Sequence, residues 1–139
     1  MKYILILVAL ILSGCGATPY QSSGLSGGYK DFSLTEENTY QVKFSGNGDL
    51  KPDVALDYAM LRSAVITKEK GFKFFEILKH DSKISRTNVG TGAAVIYSYK
   101  PNVWMNIKLV AENSLMTNRT HEAELLIKKL TQKYNIKEY

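Results

Sequence analysis

A single cysteine, Cys15, stands in this chain of 139 residues, and that scarcity decides how the molecule must hold itself together. No internal disulfide can form, and no CxxC or Cys/His zinc spacing can be drawn, so no covalent or metal cross-link substitutes for a core. The core has to come from side-chain packing. With 45% hydrophobic and 22% charged residues, and a length within the ~100–200 residues usual for one domain, a single packed unit is expected.

The position of that cysteine is informative as well. Met1-Lys2 is a short positive start, Tyr3 to Leu12 is an unbroken apolar run, and Ser13-Gly14-Cys15 follows with small residues and a thiol. This is the layout of a secretory signal over residues 1–14. Ten helical residues rise about 15 Å against the ~30 Å of a bilayer core, too short for a permanent span. Leu12-Ser13-Gly14-Cys15 resembles the bacterial lipobox, which implies lipidation of Cys15, with acyl chains such as palmitate, and cleavage between Gly14 and Cys15. Two or three acyl chains, each contributing about 0.8 kcal/mol per buried CH₂, would make the membrane anchoring effectively permanent. Gly16 stands where an Asp would resemble an inner-membrane retention signal. The outer membrane is therefore expected, with the domain in the periplasm.

From Gly16 to Gly28 the composition turns to Gly, Ser, Thr, Pro and Gln. Residues 15–28 read as the lipidated cysteine and a flexible tether of about 20 Å root-mean-square span, leaving 29–139 as one domain. The formal charge of +5 is mild and its lysines are dispersed, which fits a solvated surface and gives no nucleic-acid signature.

Within the domain, Thr39 to Ser45 alternates Tyr40, Val42 and Phe44 with Gln41 and Lys43, predicting a strand. Pro52 to Lys70 predicts a helix, with Pro52 and Asp53 at its start, Lys68 near its end and Gly71 just beyond it. Phe72 to Lys79 predicts a central strand with Phe75 and Ile77 on one side and Phe74 and Leu78 on the other. The polar stretch His80 to Gly92 reads as a mobile connection. Ala93–Tyr99 and Val103–Val110 then predict a hairpin around Lys100-Pro101-Asn102. The last helix carries Ala123, Leu126, Ile127, Leu130 and Tyr134 on one face, with Thr120 as its expected N-cap. The expected fold class is α+β, a mainly antiparallel sheet of about four strands with two helices packed on it, preceded by the tether.

Ala17-Thr18-Pro19-Tyr20-Gln21, Gly27-Gly28-Tyr29, the run from Asn38 to Asn47, and Tyr58 through Phe75 together resemble a family of small, uncharacterised bacterial lipoproteins. The likeness covers roughly residues 15–78. It implies a lipid-anchored location and carries over no catalytic residue. Relatives tend to have Arg-Ala-Ala-Glu in the first helix, where this chain has Arg62-Ser63-Ala64-Val65, so no acidic role transfers.

Catalysis requires a nucleophile, a base and a group that stabilises developing charge. His80-Asp81-Ser82 has the residue types of a hydrolase triad, but side chains adjacent in sequence point apart, and a polar turn is the simpler reading. His121 falls away from the apolar face of its helix and is expected in solvent. Asn47, Asp49, Asp53 and Asp57 gather oxygens near a helix start, yet a calcium loop counted from Asn47 would need Gly at 52 and Glu at 58, where Pro52 and Tyr58 stand. Gly46-Asn47-Gly48 and Gly90-Thr91-Gly92 lack the longer phosphate-loop pattern and read as turns. No metal, cofactor or catalytic residue is expected. Nine tyrosines, five phenylalanines and Trp104 are more suggestive, and Tyr97, Tyr99 and Trp104 on the predicted hairpin are the candidate patch for a partner or ligand. The expected role is a non-enzymatic interaction or structural module that contacts an envelope protein or the cell wall. The alternative is a periplasmic module for a small apolar or lipid-like ligand.

Overall fold

A computed structural model describes residues 16–111 and 117–139. The expected signal segment, the expected Gly14–Cys15 cleavage point and the Cys15 thiol lie outside the described residues. The chain runs β1 (Gly28–Ser33), β2 (Thr39–Ser45), α1 (Pro52–Glu69), β3 (Phe74–Asn88), β4 (Tyr97–Val110), β5 (Thr120–Glu122) and α2 (Ala123–Tyr134). The strands form one antiparallel sheet in the order β1-β2-β4-β3-β5, so α1 carries the chain across β4's place to reach β3. The fold is α+β, with five strands among the described residues.

Alternation builds the inner sheet face. Val42 and Phe44 of β2 lie opposite Met105 and Val103 of β4, and Phe75 of β3 lies opposite Leu109, all of them buried. α1 covers this face and is itself covered by α2, which explains why its apolar residues spread around its girth. Two hydroxyls tolerate this burial by bonding back along the helix. Ser63 Oγ donates to the Ala59 carbonyl at 2.8 Å and Thr67 Oγ1 to the Ser63 carbonyl at 2.7 Å. Gly71, at φ +78°, ends the helix in a conformation that a side chain disfavours, and Phe72 N donates to the Thr67 carbonyl at 2.9 Å. Asp57 joins the two helices, accepting from Lys133 Nζ at 2.7 Å and the Tyr134 hydroxyl at 2.6 Å. Arg62 grips β1 through Asp31 at 2.8 and 3.3 Å and lies over the Tyr29 ring. Burial opposes the Arg62 charge, but the hydrogen bond and field of Asp31 outweigh it and raise its pKa.

Several expectations change. Residues 17–28 are not a free tether. Thr18 is buried and donates to the Ser26 carbonyl at 2.6 Å, Tyr20 packs against Tyr29 and Tyr58, and Tyr29 N donates to the Gln21 carbonyl at 2.8 Å. The glycines serve close approach rather than mobility: a Cβ on Gly27, whose φ is +100°, would sit 2.2 Å from the Ser45 carbonyl oxygen.

The polar stretch from His80 is likewise no loop, since β3 runs on to Asn88 in register with β4. Lys100-Pro101-Asn102 lies inside β4, with Pro101 opposite Ile84 and its carbonyl accepting from Gly46 N at 2.8 Å. Proline is tolerated there because β2 pairing stops at Asn102, leaving no ladder donor to replace. The hairpin turn lies earlier, at residues 89–96, where Val89 N donates to the Ile96 carbonyl and Gly92 takes φ +67°. β1 and the three-residue β5 were not expected as strands. Thr120 pairs with Glu76 in β5, and Glu122 takes the N-cap position of α2.

Candidate functional site

Beyond the end of α1, β3 and β4 continue as a two-stranded arm. Between α1 and the start of this arm lies an open groove with a cavity of about 560 Å³. Leu56, Asp57 and Met60 of α1 form one wall, Ile77 to His80 and Met105 the floor, and Asn118, Arg119 and His121 one end. A second lobe of about 340 Å³ shares Leu56 and His80 with the first and runs along Ser82, Ile84, Pro101 and Val103.

The floor exists because of a β-bulge. The pairing register shifts between Ile77 and Lys79, so Leu78 is an extra residue and the alternation of β3 inverts after it. Before the bulge Phe75 and Ile77 face the helices. After it His80, Ser82, Ile84 and Arg86 do so, opposite Met105, Val103, Pro101 and Tyr99, while Lys79 and Asp81 turn to the outer sheet face. Leu78 and Ile84 are left 41% and 53% exposed at the groove.

The bulge also separates the suspected triad. His80 and Ser82 face the groove, Asp81 lies on the opposite face beside Trp104, and among the described residues no hydrogen bond joins the three. His121, expected in solvent, is in β5, half-buried at 5.4 Å from the Phe75 ring, and shares the groove with His80. The two histidines are thus in a cleft, but the carboxylate beside them, Asp57, is held by Lys133 and Tyr134. Among the described residues no hydroxyl or thiol lines the larger lobe, and Ser82 in the smaller one has no hydrogen-bonded base.

Of the oxygens weighed for calcium, Asn47 Oδ1 accepts from Thr18 N and Asp49 N, and Asp57 is engaged between the helices. Among the described residues no cluster of three or more His, Cys, Asp or Glu is placed to hold a metal ion.

The aromatic patch is divided by the same strand geometry. Tyr97 and Tyr99 share the helix-side face of β4 but lie out on the arm, 41% and 54% exposed, with Arg86 stacked 3.4 Å from the Tyr97 ring centre. Trp104 is on the outer face, under Lys43 at 5.3 Å. None of the groove residues Leu56, Met60, Leu78 and Ile84 is among the site residues expected from the sequence. Leu56 and Met60 are four residues apart on α1, which was a usable signal, but the bulge that presents Leu78 and Ile84 left none.

His121 gives the groove a pH response. Burial lowers its pKa from the ordinary value of about 6.5. Between the two values the unfolded chain binds more protons than the folded one, so stability is complete above about pH 6.5 and falls as pH drops through the lowered value. Urea unfolding midpoints are expected to decline between about pH 8 and about pH 5, with the histidine part of that decline missing in His121→Phe. Equal slopes in both proteins would refute this.

A scan against protein-family models, a search of curated proteins and a search of solved structures returned no match. The likeness to small bacterial lipoproteins therefore rests on the residues quoted for it. Among the described residues no helix is long and apolar enough to cross a membrane.

Proposed function

We propose that this chain is a lipid-anchored envelope protein, attached through Cys15, whose domain is a non-enzymatic module that seats an extended segment of a partner protein in the groove. The observation that carries the reading is the groove itself, which is open along its length, apolar on its floor, and flanked by exposed Leu78 and Ile84. It runs beside the outer edge of β3 from Lys79 to Asn88, which nothing among the described residues pairs. An unpaired edge next to an apolar channel suits a segment that adds main-chain hydrogen bonds to the sheet and places alternate side chains in the channel. Gly16 after the cysteine favours the outer membrane. The volume would also admit a small apolar ligand, but such sites enclose most of their ligand, and this one is open.

A photoreactive residue at Ile84 in living cells tests the proposal, with Leu125 on α2 as the control position. A covalent adduct to one envelope protein is expected from Ile84 and not from Leu125, and Leu56→Asp should abolish it. With the same probe at Met60, inside the groove and away from the arm, recovery of lipid alone would shift the reading to the small-ligand alternative.

A further inference from the structure

The amino-terminal segment enters the domain at the same end from which the arm projects. The Gly16 carbonyl accepts from Asn47 Nδ2 at 2.7 Å, and Thr18 and Asn47 bond each other twice, at 3.1 and 2.8 Å. One residue further, Gly48 lies so close to Ser98 of β4 that a Cβ there would be 2.4 Å from the Ser98 hydroxyl. The turn bearing Leu25 abuts the foot of the arm, sharing a cavity with Asn47, Ser85 and Lys100. Neighbouring Cα atoms are about 3.8 Å apart, and a strand rises about 3.3 Å per residue. Gly16, the first described residue, therefore lies within roughly 20 Å of Ile96 at the arm's tip.

This end of the molecule is also where bare apolar side chains gather. Leu25 is fully exposed, and Val89, Val95 and Ile96 at the tip are each more than half exposed. Behind them come Tyr97 and Tyr99 with Arg86 at the same level, then Lys100 and Lys83, and residues 83–100 contain no aspartate or glutamate. Asp49, beside Tyr99 at the arm's foot, is a carboxylate at this end. An apolar tip, two amphipathic tyrosines with Arg86 among them, and two lysines behind follow in the order in which a lipid surface presents its acyl boundary, its interface and its anionic headgroups.

We propose that the β3–β4 arm tip and the Leu25 turn rest in the headgroup and acyl boundary of the bilayer that holds the chain, giving the domain a fixed orientation with its groove close to the lipid surface. This rests on the proposed anchoring at Cys15 for the choice of occupant, and the docked segment after residue 16 removes the slack a free tether would give. A protein partner at the tip is the competing occupant.

The test uses the full chain, matured in cells, purified and reconstituted into vesicles of phosphatidylethanolamine and phosphatidylglycerol with brominated acyl chains. In a Trp104→Phe background, Ile96→Trp and Val95→Trp report on the tip and Leu125→Trp on α2, at the far end of the sheet. The tip reporters are expected to lose roughly half or more of their emission and shift to the blue, with Leu125→Trp unchanged. Tip reporters quenched no more than Leu125→Trp, in protein that floats with the vesicles and carries acyl mass, would overturn the proposal and point to a protein partner. A mass without acyl chains would remove the anchoring reading by itself, and quenching at the tip by the same vesicles would still decide the arm.

Discussion

Cys15→Ser is expected to abolish acylation entirely and to leave the precursor uncut, so that radiolabelled fatty acid enters the parent protein and none enters the variant. The reason is chemical. A thioether-linked lipid needs a thiolate, and a serine hydroxyl at the same place is far less ionised and less nucleophilic. Processing that follows acylation then has no substrate, and the intact mass should retain the residues before Cys15. The functional loss is as large as the chemical one, because each chain contributes about 0.8 kcal/mol per buried CH₂ and two or three chains separate a fixed protein from a diffusing one. Fold stability should be unaffected, since the described packing begins at residue 16. Label incorporated into Cys15→Ser, or a mature mass for it, would defeat the anchoring proposal.

Phe75→Ala is expected to lower stability by about 3–5 kcal/mol, read as a fall in the urea midpoint with an unchanged slope. Phe75 is fully buried where β3, β4 and β5 meet beneath the helices, opposite Leu109 and against the His121 ring. Its removal leaves a ring-sized void that strands paired on both sides cannot close. Such a loss is a large share of the roughly 5–15 kcal/mol typical of a domain. Ile84→Ala, nine residues along the same strand, should cost only about 0.5 kcal/mol, because Ile84 is half exposed on the arm. Similar losses for both would mean that the arm belongs to the cooperative core, and the groove would need another explanation.

Much of the fold was legible because local periodicity and tertiary burial agree. Tyr40, Val42 and Phe44 alternate and face inward, and Pro52, Asp53 and Gly71 bracket α1 almost where the backbone bends. The closing helix buries Ala123, Ile127 and Leu130 as its spacing requires, though it starts after Thr120. What misled was composition. Gly, Ser and Asn suggest mobility in residues 16–28 and 80–92, but backbone pairing satisfies a polar strand such as 80–88 as well as an apolar one, and small residues also permit close approach.

The candidate site was the least legible part. Its histidines stood out by their chemistry, yet their meeting in one cleft required β5 to be laid against the start of β3, a pairing of three residues with no signature of its own. Tyr97, Tyr99 and Trp104 looked like one patch until strand parity set Trp104 on the opposite face.

The sequence by itself determined the dependence on an apolar core, through its one cysteine, the class of the fold, through the alternation and helical spacing, and the expected address, through residues 1–15. Only the tertiary structure decided which residues of β3 line the groove, where the hairpin turns and that the entering segment is docked. Those outcomes depend on one unpaired residue, Leu78, and on contacts between segments far apart in the chain. A one-residue slip in a strand exchanges its faces while leaving the local pattern of residues unchanged, so nothing near Leu78 in the sequence announces it.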